Sequence, residues 1–326
     1  MKFHRTCLYL LILFISAISC KKPNEKERWE TVKIPQAAPL KITDISADFY
    51  SKDLGTEQFV QKYPWFQGSV SNEDFEKRRR DSAEIAIYKE AISKNNLGKL
   101  STDLGNFFAQ TTAYFPDFQT PQTFVYSSSM QSEADAILYS PMDKMLFIDL
   151  SQFMGEGNRY YAGVEKYLQK SMNPQNILPK VSQTVTAQFV PFSSDNQKFI
   201  DRIIYAGKRM ILTDALLPKT SDAVKMGYTE EQLKWAQANE GNVWNFFVEN
   251  DIVFSDDVRL NGRFIEEGPF SKFYTEVDNS SSPQIGIFIG WMICRSFLDK
   301  NPDTTLKEFL KMDATEIFNK SQYNPK

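Results

Sequence analysis

The stretch "PQIGIFIGWMICRSFLDKN", residues 283–301, constrains the fold more than any other part of the chain. Its helical pattern is apolar almost all round, and such a helix has to be enclosed by other elements. Arg295 and Asp299 interrupt it and Ser280–Ser282 precede it, so it lacks the roughly 20 apolar residues of a membrane span. Pro283 suits a first turn. Gly286 and Gly290 lie four apart, where two missing side chains would let a second helix approach closely. The segment "NQKFIDRIIYAGKRMIL" also reads as buried on more than one side, because Phe199, Ile203, Tyr205, Gly207 and Met210 do not share one face. With 26 Phe and 14 Tyr, the chain has ample material for a core.

Other segments extend this helical reading. "DSAEIAIYKEAISKN" sets Ile85, Tyr88 and Ile92 at helical spacing. The basic run Lys77–Arg80 lies beside Glu73, Asp74, Glu76 and Asp81, and reads as a solvated, self-neutralised face. Thr229 with Gln232 forms a capping-box pattern, and Asp313 with Glu316 reads as a second cap pair. In "KITDISADFYSKD", Ile42, Ile45 and Phe49 are the expected inward set. Three strand-like runs follow: Thr123–Met130, Ala136–Ser140 and Lys144–Phe153, with "SPMD" as a tight turn between the last two. Taken in order, they predict an antiparallel meander. The fold class expected is α+β, a mainly helical domain with a small antiparallel sheet.

The N-terminus carries a different signal. Apolar residues run unbroken from Leu8 to Ile15, behind Lys2 and Arg5 and ahead of Ala17-Ile18-Ser19-Cys20. That core is near the roughly 7–15 residues of a secretory signal and too short to span. The layout resembles a bacterial lipobox, in which the chain is cut before the cysteine and Cys20 takes the lipid. The expected organisation is residues 1–19 as signal peptide, 20–40 as a lipidated tether and 41–326 as one globular domain. Extended, 20 tether residues reach about 65–70 Å.

Composition excludes several chemistries. The only histidine, His4, leaves with the signal, which removes Ser-His-Asp and Cys-His catalysis and the usual zinc sites. Cys294 would be the one cysteine left besides Cys20, so no internal disulfide can form. Cleavage removes Lys2 and Arg5 and no acid, taking the side-chain charge from 38 − 41 = −3 to 36 − 41 = −5. No basic stripe points to nucleic acid. No P-loop, G-x-G-x-x-G or G-x-S-x-G is present, and "GEGN" at Gly155 reads as a loop. The acid pairs Glu230-Glu231, Asp256-Asp257 and Glu266-Glu267 read as surface pairs. Cys294 reads as a core residue.

Several blocks together carry a resemblance. "AYFPDFQTPQTFVY", "RIIYAGKRMILTDALLP", "GRFIEEGPFSKFYTE", "PQIGIFIGWMICRSFL" and "LKEFLKMDATEIFNKSQYNPK" are, in this order, similar to the GldB family of gliding-motility lipoproteins of Bacteroidetes. The resemblance covers about residues 100–326. It implies a component of the gliding machinery and of the type IX secretion linked to it, and supplies no activity. The layout also resembles a predicted zinc-protease family, in which a helix with H-E-x-x-H follows the strands. The matching helix here, "PKVSQTVTAQFVPF", has neither His nor Glu, and no Glu occurs from Val181 to Thr213. It offers Thr184, Thr186 and Gln188 instead. The implied scaffold is zincin-like with its metal site empty.

The expected function is therefore a non-enzymatic, membrane-anchored lipoprotein that acts through protein contacts. Its partners would be other gliding and secretion proteins, and the bilayer through acylated Cys20. No catalytic residue, cofactor or metal ligand is assigned. The alternatives are an envelope hydrolase using carboxylates or a lysine, and a peptide- or glycan-binding lipoprotein. The polar sequence after Cys20 lacks an aspartate and an acidic tract, which favours a periplasm-facing site at the outer rather than the inner membrane.

Overall fold

The computed structural model describes residues 37–130, 135–192 and 197–326. The signal segment, Cys20 and most of the expected tether lie outside the described residues. The order begins β1 (Ile42–Asp44), α1 (Ile45–Phe49), α2 (Thr56–Lys62), α3 (Asn72–Arg80), α4 (Ser82–Lys94) and α5 (Leu97–Tyr114). Then come β2 (Gln122–Tyr126), β3 (Ile137–Ser140), β4 (Met145–Asp149), α6 (Lys166–Gln169), α7 (Ile177–Thr186) and α8 (Phe199–Leu216). The chain closes with α9 (Asp222–Met226), α10 (Glu230–Ala238), α11 (Glu240–Glu249), α12 (Arg259–Phe264), α13 (Ile285–Lys300), α14 (Leu306–Lys311) and α15 (Ala314–Ser321). Among the described residues no helix is long and apolar enough to cross a membrane.

The sheet corrects the meander. Its order is β1-β2-β4-β3, with β1–β2 and β2–β4 parallel and only β3–β4 antiparallel. The expected hairpin through "SPMD" exists, with Ser140 and Asp143 hydrogen-bonded across it. The hairpin folds back so that β4, rather than β3, sits beside β2. Burial gives the reason. Leu146 and Ile148 point to one face, Met145 and Phe147 to the other, and both faces are covered. A strand apolar on both sides belongs in the interior of a sheet. On β3, Leu138 is exposed, as suits an edge.

Alternation of side chains by two divides the sheet between two cores. On one face Phe124 and Phe147 stack at 5.2 Å and meet Ile45, Phe49, Phe59 and Phe75 from α1–α3. Arg79 corrects the solvated reading of the basic run. It is buried under this aromatic layer, 5.8 Å from the Phe49 ring, and donates to the carbonyls of Ser51 and Leu54. Arg78 pairs with buried Glu84 at 3.0 Å, while Lys77 and Arg80 stay in exposed pairs with Glu73 and Glu76. On the other face Val125, Leu146 and Ile148 pack on α5 and α7 through Leu104, Phe107, Phe108, Val181 and Val185.

The third core is the helical half, with α13 enclosed as expected. Ile285, Phe288, Ile289, Trp291, Ile293, Cys294 and Phe297 are all buried. The crossing of α8 and α13 depends on glycine. A Cβ on Gly290 would stand 1.9 Å from the Ile203 carbonyl oxygen, and one on Gly207 would stand 2.3 Å from the Gly290 carbonyl oxygen. Only glycine permits two backbones to come so near. Lys208, buried on α8, donates to the carbonyls of Leu310 and Met312 and so caps the end of α14. The Thr229–Gln232 capping box forms as expected. At Asp313 the cap is the aspartate alone, accepting from the Thr315 amide at 2.8 Å, because Glu316 turns outward to Lys320.

Ala38–Leu40 already belong to the folded body. The Leu40 amide donates to the Ser101 carbonyl at 2.9 Å, and Ser101 Oγ donates back to the Leu40 carbonyl at 2.6 Å. Gly105 leaves the space, since a Cβ there would meet the Ala38 carbonyl oxygen at 2.4 Å.

Candidate functional site

A cleft lies where α7 crosses α8. It has a wide mouth of about 740 Å³, bordered by β3 and by the segment 163–172. Joined to it is a smaller, half-open inner pocket of about 150 Å³, lined by residues 224–228 and 283–287. Leu168, Ser171, Lys180, Gln183, Arg209 and Glu267 line both spaces and so mark the passage between them.

Helical spacing places the floor. Lys180, Gln183 and Thr184, at i, i+3 and i+4 on α7, share the side turned to the cleft, while Val181, Val185 and Thr186 are buried. Gln183 is fixed in place. Its Nε2 donates to the Lys225 carbonyl at 3.0 Å, and its backbone carbonyl accepts from Arg209 Nη2 at 2.8 Å. Arg209 Nε is buried and has no acceptor. Lys180 makes no hydrogen bond or ion pair among the described residues, and its ammonium lies 5.9 Å from the Phe153 ring. Burial pushes the Lys180 pKa below that of a free lysine, and the nearby charges of Glu267 and Asp135 only partly restore it. A further orphan lies behind the lining of the inner pocket. Asn176 is buried and donates to the Val224 carbonyl at 3.4 Å, but its Oδ1 has no donor.

The residues singled out from the sequence disperse in the structure. Thr184 lines the mouth. Thr186 is buried and bonded to the Ser182 carbonyl at 2.6 Å, and Gln188 turns to Tyr139 on β3. Among the acid pairs, Glu267 alone comes to the cleft. Asp257 pairs with Arg259 in solvent, and Glu230 and Glu231 open α10. Cys294 is sealed in the core with its thiol pushed up by burial. Lys180 and Arg209 were not singled out. Lys180 lies inside the helix "PKVSQTVTAQFVPF", and its i, i+3 relation to Gln183 is the signal the sequence carries for it.

Behind the cleft lies a second charged group, and it is fully paired. Asp214 accepts from Lys225 Nζ at 2.6 Å, from Trp291 Nε1 at 2.8 Å and from Arg295 Nε at 3.1 Å. Arg295 also binds Asp222 at 2.7 Å, and its guanidinium covers the Trp291 ring at 3.8 Å. The arrangement joins α8, α9 and α13.

Such a set of residues can hold a ligand. Among the described residues the floor offers two cations, an amide and a hydroxyl, with the Glu267 carboxylate at its edge. Among the described residues no group of three or more His, Cys, Asp or Glu is placed to hold a metal ion.

No curated protein and no solved structure matches the chain significantly. The sequence model of the family described as "Gliding motility protein GldB" matches residues 24–325. That span takes in the sheet, all three cores and the cleft, and the chain belongs to the GldB family of gliding-motility lipoproteins.

Proposed function

We propose that this protein is a non-catalytic, lipid-anchored component of the gliding and secretion machinery that works by holding another macromolecule. One observation carries the reading: the helix faces that meet at the cleft present Lys180, Gln183, Thr184 and Arg209, which are binding groups. Family membership supplies the cellular setting, the cell envelope. The finer parts of the reading rest on the sequence. Cys20, after its short apolar segment, carries the acyl chains, and residues 20–40 lead from the membrane to a single domain. The protein faces the periplasm from the outer membrane. The scaffold is a zincin-like one whose substrate groove has lost its metal ligands.

Cross-linking in intact cells followed by purification from membranes tests the contact role. A defined partner should be recovered with the wild type. Recovery of the protein alone, with motility intact, would defeat the reading. Fatty-acid labelling of wild type and Cys20→Ser tests the anchor separately, and equal labelling of the two would refute it.

A further inference from the structure

We propose that the cleft receives the carboxyl terminus of a polypeptide, with the terminal carboxylate held between Lys180 and Arg209 and the last side chain in the inner cavity. This rests on the contact reading and names what the contact is.

The placement of the cations argues for it. They stand at the passage, with open space on both sides. A carboxylate at the tip of an Asp or Glu side chain would stop there and leave the space beyond unfilled. An α-carboxylate has its own side chain on the same carbon, and that side chain can continue inward. The inner cavity of about 150 Å³ accepts one medium-sized group. A designed apolar cavity of about that size holds a benzene ring.

The unmet hydrogen-bonding groups agree with such an occupant. Lys180 has no ion-pair or hydrogen-bond partner among the described residues and sits in a partly desolvated place, and the Arg209 guanidinium, held through Nη2 to the Gln183 backbone carbonyl, lines the same passage. An arriving carboxylate supplies both with a charged acceptor. At the mouth the charge reverses. Asp135 and Glu165 border it, which suits basic residues shortly before the terminus. Glu267 lies near enough to Lys180 to act on its charge, yet forms no ion pair with it and is exposed. It is a weak competitor for the incoming carboxylate.

The test uses the purified full chain, immobilised, and two pools of acetylated hexapeptides. Both are randomised at the last position with Lys fixed two residues earlier. One pool ends in a free acid and the other in an amide, and retained peptides are counted by mass spectrometry. The free acids should be retained at least tenfold over the amides. Lys180→Met, shown folded by circular dichroism, should abolish the preference, as should Arg209→Gln, while Glu267→Gln should increase it. Equal retention of the two pools, or retention of neither, overturns the proposal. So does a preference that survives Lys180→Met. Cross-linked partners recovered from cells alongside such a failure would sink this inference and leave the contact reading standing; their absence would sink the contact reading itself.

Discussion

Two sets of charged side chains draw on the same helix, α8, and they have opposite characters. Asp214 is enclosed, and both its oxygens are used by Lys225, Trp291 and Arg295. Arg209, five residues earlier, leaves Nε unanswered, and Lys180 beside it has no counter-ion in contact. A satisfied buried network orients helices. Charges left half-satisfied at the bottom of a cleft cost stability, and persist where something else meets their need. The difference separates charges that build the fold from charges the fold leaves unmet.

Four substitutions can break or sharpen this comparison. Asp214→Asn should have the largest effect. It removes the charge between Lys225 and Arg295 and should cost about 3–5 kcal/mol in denaturant unfolding. A loss below about 1 kcal/mol would show that the network is not structural. Gly290→Ala should come next. The added methyl would press into the Ile203 carbonyl, and overpacking of this kind costs about 1–3 kcal/mol. Because the α8–α13 crossing supports both charged sets, ligand retention should fall with stability. Unchanged stability would mean the helices can move apart.

Lys180→Met should go the other way, raising stability by about 0.5–1 kcal/mol. The pH dependence gives its sign. The folded pKa of Lys180 lies below the ordinary 10.5, so between the two values the unfolded chain binds more protons than the folded one. The cost of the buried ammonium is fully present below the folded pKa and is relieved as pH rises toward 10.5. Stability of the wild type should therefore gain on Lys180→Met over that window, and the gap between them should narrow. A variant less stable than wild type at neutral pH would place Lys180 among the fold-building charges. Glu267→Gln should have the smallest effect on unfolding, within about 0.5 kcal/mol, as expected of an exposed side chain. A larger loss would mean that Glu267 holds Lys180 in place.

The sequence disclosed what local pattern controls. The enclosed helix and its two glycines, the Thr229 cap, the buried Cys294 and the short hairpin follow from neighbours in sequence. The strand order did not, since β2 and β4 pair across residues 127–144 and only their burial decides it. One signal was present: "MLFI" is apolar at successive positions, which marks a strand covered on both faces. Arg79 was misread because a charge run suggests solvent, and the aromatic layer that receives it comes from α1 and α2. Lys180 was passed over for a similar reason. A lysine in a helix ordinarily faces water, and what surrounds Lys180, with Arg209 and Glu267 among it, comes from far along the chain.

The pinning of Leu40 to Ser101 has a mechanical consequence. Any load that reaches the domain through the residues before 37 enters at this point, not at the core. Two hydrogen bonds take it first, at 2.9 and 2.6 Å, and behind them stands β1, a three-residue edge strand parallel to β2. A pull along the strand loads its ladder all at once, in shear. A pull away from the sheet opens the same bonds one after another. The domain should thus resist tension in one direction more than in the other, and single-molecule extension with the handle moved between these two geometries would measure the ratio.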